Sequence, residues 1–148
     1  MEIRQALTND VDDLQELYLQ QLTKYPPSEP QIKEDWCSLI EEFAKNKDYH
    51  LIVGVVDGKV ISSVTLVVIR NLTHNLSPYS VMENVVTHYD HRNKGYASAL
   101  IEYASDIARK EKCYKIMLMT GSKKESTLNF YRKNGFNLKD KTACLKRL

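Results

Sequence analysis

The residues with the clearest chemical potential stand in one polar run, His88-Tyr-Asp-His-Arg-Asn-Lys-Gly-Tyr-Ala97, which follows the apolar segment Val81–Thr87. After it, Ala97, Leu100, Ile101, Ala104, Ile107 and Ala108 recur at helical spacing. The run therefore lies where a strand hands over to a helix. The first amides of a helix have no internal partner, and the helix dipole adds partial positive charge there. The backbone of Arg92, Asn93, Lys94, Gly95, Tyr96 and Ala97, with the charges of Arg92 and Lys94, makes an anion site suited to phosphate or pyrophosphate. Gly95 lets backbone approach a ligand closely, and Ala97 keeps the next position small. Physical chemistry alone leaves two readings, a phosphate-bearing ligand or a solvated basic turn.

Several sharper readings fail. A Walker loop needs Gly-x4-Gly-Lys-Ser/Thr, and this run has a single glycine. The dinucleotide fingerprint needs three spaced glycines after the first strand of a βαβ unit. His88 and His91 are three apart but have no third ligand at sensible spacing, so no metal is expected and both read as surface loop histidines. Gly121-Ser122 lacks the hydrolase-elbow frame. Ser122 reads instead as a helix cap, boxed with Glu125.

The elements that must position this run follow from periodicity. Ile3–Leu7 reads as a first strand, and Val11, Leu14, Leu17, Tyr18 and Leu22 as a helix after Thr8-Asn-Asp caps. Tyr25-Pro-Pro-Ser-Glu-Pro30 cannot continue a helix. Ile32, Trp36, Leu39, Ile40 and Phe43 mark a second helix. Strands are predicted at Leu51–Val56 and Val60–Ile69 around the hairpin signal Asp57-Gly58. Others are predicted at Tyr79–Thr87 and Lys115–Thr120, with one or two closing strands from Phe136 onward. A last helix ends near Asn134-Gly135. The order β-α-α-β-β-β-α-β-α-β, without repeat or linker, predicts one α/β (α+β mixed) domain over residues 1–148.

Composition narrows the classes. The chain has 148 residues, 43% hydrophobic and 27% charged, which suits a globular fold. A net charge of +2 from 21 basic and 19 acidic residues gives no footprint for nucleic acid. Cys37, Cys113 and Cys144 are an odd, scattered set that reads as reduced thiols. Charges throughout the first 25 residues leave no room for a signal peptide, and no apolar run is long enough for a membrane span. A soluble, cytoplasmic protein is expected.

Arg92-x-x-Gly95-x-Ala97 at a strand-to-helix junction resembles the Arg/Gln-x-x-Gly-x-Gly/Ala pyrophosphate loop of the GNAT superfamily of N-acetyltransferases. Asn129-Phe-Tyr131-Arg-Lys-Asn-Gly135-Phe136 resembles that superfamily's second signature, and the element order agrees over nearly the whole chain. Glu83-Asn-Val-Val86 is similar to the strand of the glucosamine-phosphate N-acetyltransferase branch.

The resemblance implies a mostly antiparallel mixed sheet of six to seven strands flanked by four helices. It implies acetyl-coenzyme A as cosubstrate, its pyrophosphate on the Arg92–Ala97 amides and its pantetheine arm on the edge of Val85, Val86 and Thr87, with Asn129 near it. An amide near Val85 or Val86 would stabilise the developing oxyanion. Tyr131 matches the tyrosine beside the coenzyme sulfur, and Glu83 the acidic residue that can serve as base. The alternatives for these two are a core aromatic and an ordinary polar strand residue. Strict alternation sets Glu83 on one face with Val85 and Thr87, unless a bulge resets it. Tyr89 stands where the family often has proline, and Lys124 where it often has asparagine. Tyr25 and Trp36 fall where the family's substrate-covering segments lie, although an apolar stripe more often makes Trp36 core.

The expected activity is direct acetyl transfer to a primary amine on a small molecule or peptide, in a ternary complex. A non-catalytic coenzyme A-binding domain and a nucleotide-phosphate module are the alternatives. The resemblance makes a homodimer one assembly to expect, and the acceptor stays open.

Overall fold

The computed structural model describes residues 1–23 and 27–148. Tyr25, and with it part of the predicted substrate-covering segment, lies outside them. One sheet has the order β1-β2-β3-β4-β5, from β1 (Glu2–Gln5), β2 (Tyr49–Val56), β3 (Lys59–Ile69), β4 (Tyr79–Thr87) and β5 (Ile116–Met117). The first four strands are mutually antiparallel, and β5 runs parallel to β4.

α1 (Val11–Leu17) and α2 (Lys33–Lys45) cover one face, and α3 (Tyr96–Lys110) and α4 (Glu125–Lys133) the other. Leu14, Leu17 and Ile40 meet Leu51, Val53, Val60 and Val86 on the first face. Leu100, Ile101, Ala104 and Tyr131 meet Ile52, Val64, Leu66 and Met82 on the second. The even and odd positions of β2 thus serve opposite cores, as the period of two requires.

Local chemistry explains most boundaries. Asp57 and Gly58 both have positive φ, the signature of the type I′ turn that joins β2 to β3. α1 continues into a wider turn, Tyr18–Leu22, which keeps Tyr18 and Leu22 against the first core. α4 stops at Asn134, where Phe136 N–H bonds the Tyr131 carbonyl at 3.1 Å and Gly135 takes φ +85°. The buried Asp10 carboxylate binds Arg4 through two hydrogen bonds, 2.7 and 2.8 Å, and accepts the Leu7 amide at 2.7 Å. That contact pins β1 to the entry of α1.

Three expectations are corrected. The sheet has five strands, not six or seven, and no strand follows Phe136 among the described residues. Phe136 and Leu138 do turn inward at period two. β5 is only two residues long, however, and residues 139–148 are exposed, so no ladder continues there. The strand predicted over Lys115–Thr120 shrinks for the same reason. Ser122 is not the cap of α4: the helix starts two residues later, Lys124 holds the cap position, and Ser122 Oγ donates to Thr127 Oγ1 at 3.2 Å. Glu125 bonds Arg132 instead of closing a capping box.

Candidate active site

β4 and β5 pair only at Ser80–Ile116 and Val81–Met117. Beyond those pairs the two strands part, and the β4 edge toward Thr87 is open. A β-bulge marks the parting. Thr65 pairs with Glu83 and Ser63 with Val86, so Asn84 and Val85 together face the single residue Val64. Asn84 adopts φ +54°, a conformation that asparagine tolerates better than most residues. On the inner side, Ser62 Oγ donates to the Val86 carbonyl at 2.8 Å and lies 2.7 Å from Thr87 Oγ1. The strand end is therefore held from β3 while its outer edge stays free.

The bulge overturns strict alternation. Met82 and Val85 both pack toward α3, whereas Val86 packs toward α1 and α2. Glu83 pairs with Thr65, which pairs with Leu51, so this row lies on the α1–α2 face. Glu83 and Val85 are thus on opposite sides.

The open edge borders a cleft of about 640 Å³. Val85, Val86 and Thr87 form one wall, and His91, Arg92, Asn93, Gly95, Tyr96 and Ala97 one end. Phe130 and Tyr131 of α4 line it, as do Lys124 and Thr127. Gly95 caps α3 with φ +82°, and a Cβ there would meet nothing within 4 Å. The first bond of this helix end runs from Ala99 N–H to the Gly95 carbonyl at 3.0 Å. The amides of Tyr96, Ala97 and Ser98 ahead of it have no such partner. Arg92 is oriented by hydrogen bonds to the Thr87 carbonyl (3.1 Å) and Gln21 Oε1 (3.0 Å).

Three predicted residues stand apart from this cleft: Glu83, on the α1–α2 face of β4, and two more. Lys94 is exposed and is not among its lining, and Asn129 is exposed with its side chain bonded to Arg132. Conversely, His91, read from sequence as a surface histidine, lines the cleft, and its Nδ1 is buried with no hydrogen-bond partner among the described residues. Gln21, Leu22 and Lys124 were also missed. Lys124 had a usable signal, since it stands where the family's asparagine falls. Gln21 and Leu22 come from a distant element and had none.

Tyr131 is 8% exposed, between Phe130 and Phe136 at ring-centroid distances of 5.1 and 5.9 Å. Burial, and then the nearby Glu83 carboxylate, push its phenol above the ordinary range, so it stays protonated near neutrality. Glu83 acts in the same way on Tyr49, on the α1–α2 face. Its charge is therefore felt on both sides of the parting. The arrangement can hold a phosphate-bearing ligand with an extended, amide-bearing arm. The donors fit coenzyme A: helix amides and Arg92 at one end, an open strand edge along the side, and Lys124 at the start of α4 as a second cation in the lining. No group of three or more His, Cys, Asp or Glu able to hold a metal occurs among the described residues, and no helix there is long and apolar enough to cross a membrane.

The Acetyltransferase (GNAT) family model matches residues 11–136, and the chain belongs to that family. Acetyl-coenzyme A is the acetyl donor the family generally uses. A glucosamine 6-phosphate N-acetyltransferase of Trypanosoma brucei brucei is 30% identical over 88 residues, which cover 60% of this chain and 58% of that relative. A protein from Agrobacterium tumefaciens str. C58, provisionally described as an acetyltransferase, superposes with TM-score 0.87 at 30% identity over 100% of both chains. Arabidopsis thaliana glucosamine-6-phosphate N-acetyltransferase shares the fold, with TM-score 0.79 at 19% identity over 99% and 97% of the two chains.

Proposed function

We propose that this chain transfers the acetyl group of acetyl-coenzyme A to a primary amine by direct attack in a ternary complex. One observation carries the reading: the open β4 edge, the α3 N-terminus and Tyr131 line a single cleft. The donor supplies a thioester whose thiolate, with an ordinary pKa around 8.5, is already a fair leaving group. The α3 amides, with Arg92, hold the phosphates. An amide at Val85 or Val86 polarises the thioester carbonyl where negative charge develops.

Glu83 takes a proton from the ammonium, directly or through water, so that the nitrogen lone pair can attack the carbonyl carbon. A C–N bond forms and the C–S bond breaks; the Tyr131 phenol gives a proton to the departing sulfur and recovers one, directly or through water, from the newly acylated nitrogen. No covalent enzyme intermediate is needed.

Calorimetric titration with acetyl-coenzyme A, using ATP and NAD as controls, tests the cleft, and thiol release across a panel of amines tests the chemistry. Selective coenzyme binding followed by amine-dependent thiol release is the expected result. Absence of coenzyme binding up to millimolar concentration would overturn the reading.

A further inference from the structure

The α1–α2 face carries a second cavity, of about 400 Å³, at the parting of the sheet. Its walls include Tyr18, Trp36, Leu39, Phe43 and Tyr49, and the bulge residue Asn84 reaches it from β4. The rings are ordered among themselves. Phe43 stacks on Tyr49 with centroids 3.9 Å apart, and Tyr18 leans on Trp36 at 6.0 Å.

The polar ends of two of these rings are already engaged. The Tyr18 hydroxyl bonds Ser63 Oγ at 2.9 Å, and Trp36 Nε1 donates to Gln31 Oε1 at 3.2 Å. What the walls present is apolar and aromatic surface, which suits a hydrocarbon body and, through the ring faces, a cation. The charge present has the complementary sign for an ammonium. Asp35 lines the cavity, and Glu83 lies on the same sheet face, in the row with Thr65 and Leu51.

We infer that the acceptor is a primary amine on a small aromatic or alkyl body, bound in this cavity with its nitrogen directed to the Asn84 bulge. The inference rests on the acetyl-transfer reading of the neighbouring cleft. Asn84 lines the amine's cavity and Val85 the donor's, so the two cavities adjoin at the bulge, where β4 has parted from β5. The nitrogen loses a proton to Glu83 and attacks the thioester carbon through the gap between β4 and β5, and coenzyme A leaves as its thiol on the cleft side. A cavity of this volume is in the range that takes small molecules.

The experiment uses the full chain, acetyl-coenzyme A and three amines: 2-phenylethylamine, glucosamine 6-phosphate and spermidine. Trp36 is the only tryptophan in the sequence, so its fluorescence reports occupancy of the cavity independently of turnover. The expected result is a saturable fluorescence change with 2-phenylethylamine and the highest kcat/KM for it in thiol release. Asp35→Asn should raise KM for this amine about two- to fivefold, the scale of one exposed ionic contact, with acetyl-coenzyme A affinity unchanged. Leu39→Lys, at a residue 47% exposed, should raise that KM further by repelling the ammonium at the rim.

Fast acetylation of glucosamine 6-phosphate or spermidine without any response to 2-phenylethylamine would overturn the inference and leave acetyl transfer standing. Fluorescence binding of 2-phenylethylamine without its acetylation would overturn the cavity as an acceptor site. Failure to bind acetyl-coenzyme A would overturn both readings together.

Discussion

Asn84 and Val85 are consecutive in β4, yet they line two different cavities. The positive φ of Asn84 produces this arrangement by inserting one extra residue opposite Val64. As a result Glu83 faces α1 and α2 while Val85 faces α3 and α4, and the two cavities adjoin at the bulge.

Gly95→Asp tests the phosphate end of the cleft. A side chain there meets nothing within 4 Å, so the fold should survive with at most about 1–3 kcal/mol of backbone strain. The added carboxylate opposes the phosphates, and acetyl-coenzyme A affinity should fall by at least about tenfold for ~1.4 kcal/mol of repulsion. Calorimetry on a variant with near-normal melting would check both halves.

Tyr131→Phe should leave coenzyme affinity almost unchanged and lower kcat. The loss should sit near the bottom of the ~10²–10⁴-fold range for general acids, because a thiolate leaves readily. Equal losses in binding and kcat would instead mark the phenol as a packing group.

Glu83→Gln should slow acetyl transfer by about 10²-fold or more at neutral pH. An alkyl amine deprotonates by itself near pH ~10.4, so the deficit should narrow as pH rises toward that value. A pH-independent deficit would argue against a base.

Asp10→Ala should destabilise the fold by about 3 kcal/mol, since it removes the partner of Arg4 in a largely buried pair. Burial alone would raise the Asp10 carboxyl, but the Arg4 hydrogen bonds, the Leu7 amide and the Arg4 charge outweigh it and hold the group below its ordinary 3.8. A lowered folded pKa stabilises above the unfolded value and is lost as pH falls through the folded one. Wild-type stability should therefore drop below about pH 4, and that share of the drop should vanish in the variant.

Alkaline pH should weaken the protein through its buried phenols. Burial raises Tyr18, Tyr49 and Tyr131 above 10.0; Glu83 adds to the last two, while Ser63 and Thr65 oppose the rise at Tyr18. The folded chain holds these protons more tightly than the unfolded chain. Their contribution is complete below about pH 10 and declines above it, toward the folded values. Urea melts between pH 8 and 11 would measure the decline, and Tyr18→Phe should reduce it.

Much of the fold was written locally. Asp57-Gly58 gave its hairpin because both residues tolerate positive φ, and Asn134-Gly135 ended α4 because a glycine there closes the last carbonyls. The stripe from Ala97 to Ala108 fixed α3 and set the polar run at its N-terminus, so the phosphate end of the cleft could be read residue by residue. These features depend on φ preferences and periodicities within a few positions. The parting of β4 from β5, the side that Glu83 faces and the meeting of Gln21 with Arg92 depend on strand register and on elements far apart in sequence. The closing strands failed on the same ground: Phe136 and Leu138 have the alternation of a strand, but a ladder needs a neighbour, and the two-residue β5 supplies none. Sequence by itself determined which groups could bind an anion, while tertiary pairing decided which face of the sheet each reactive group would serve.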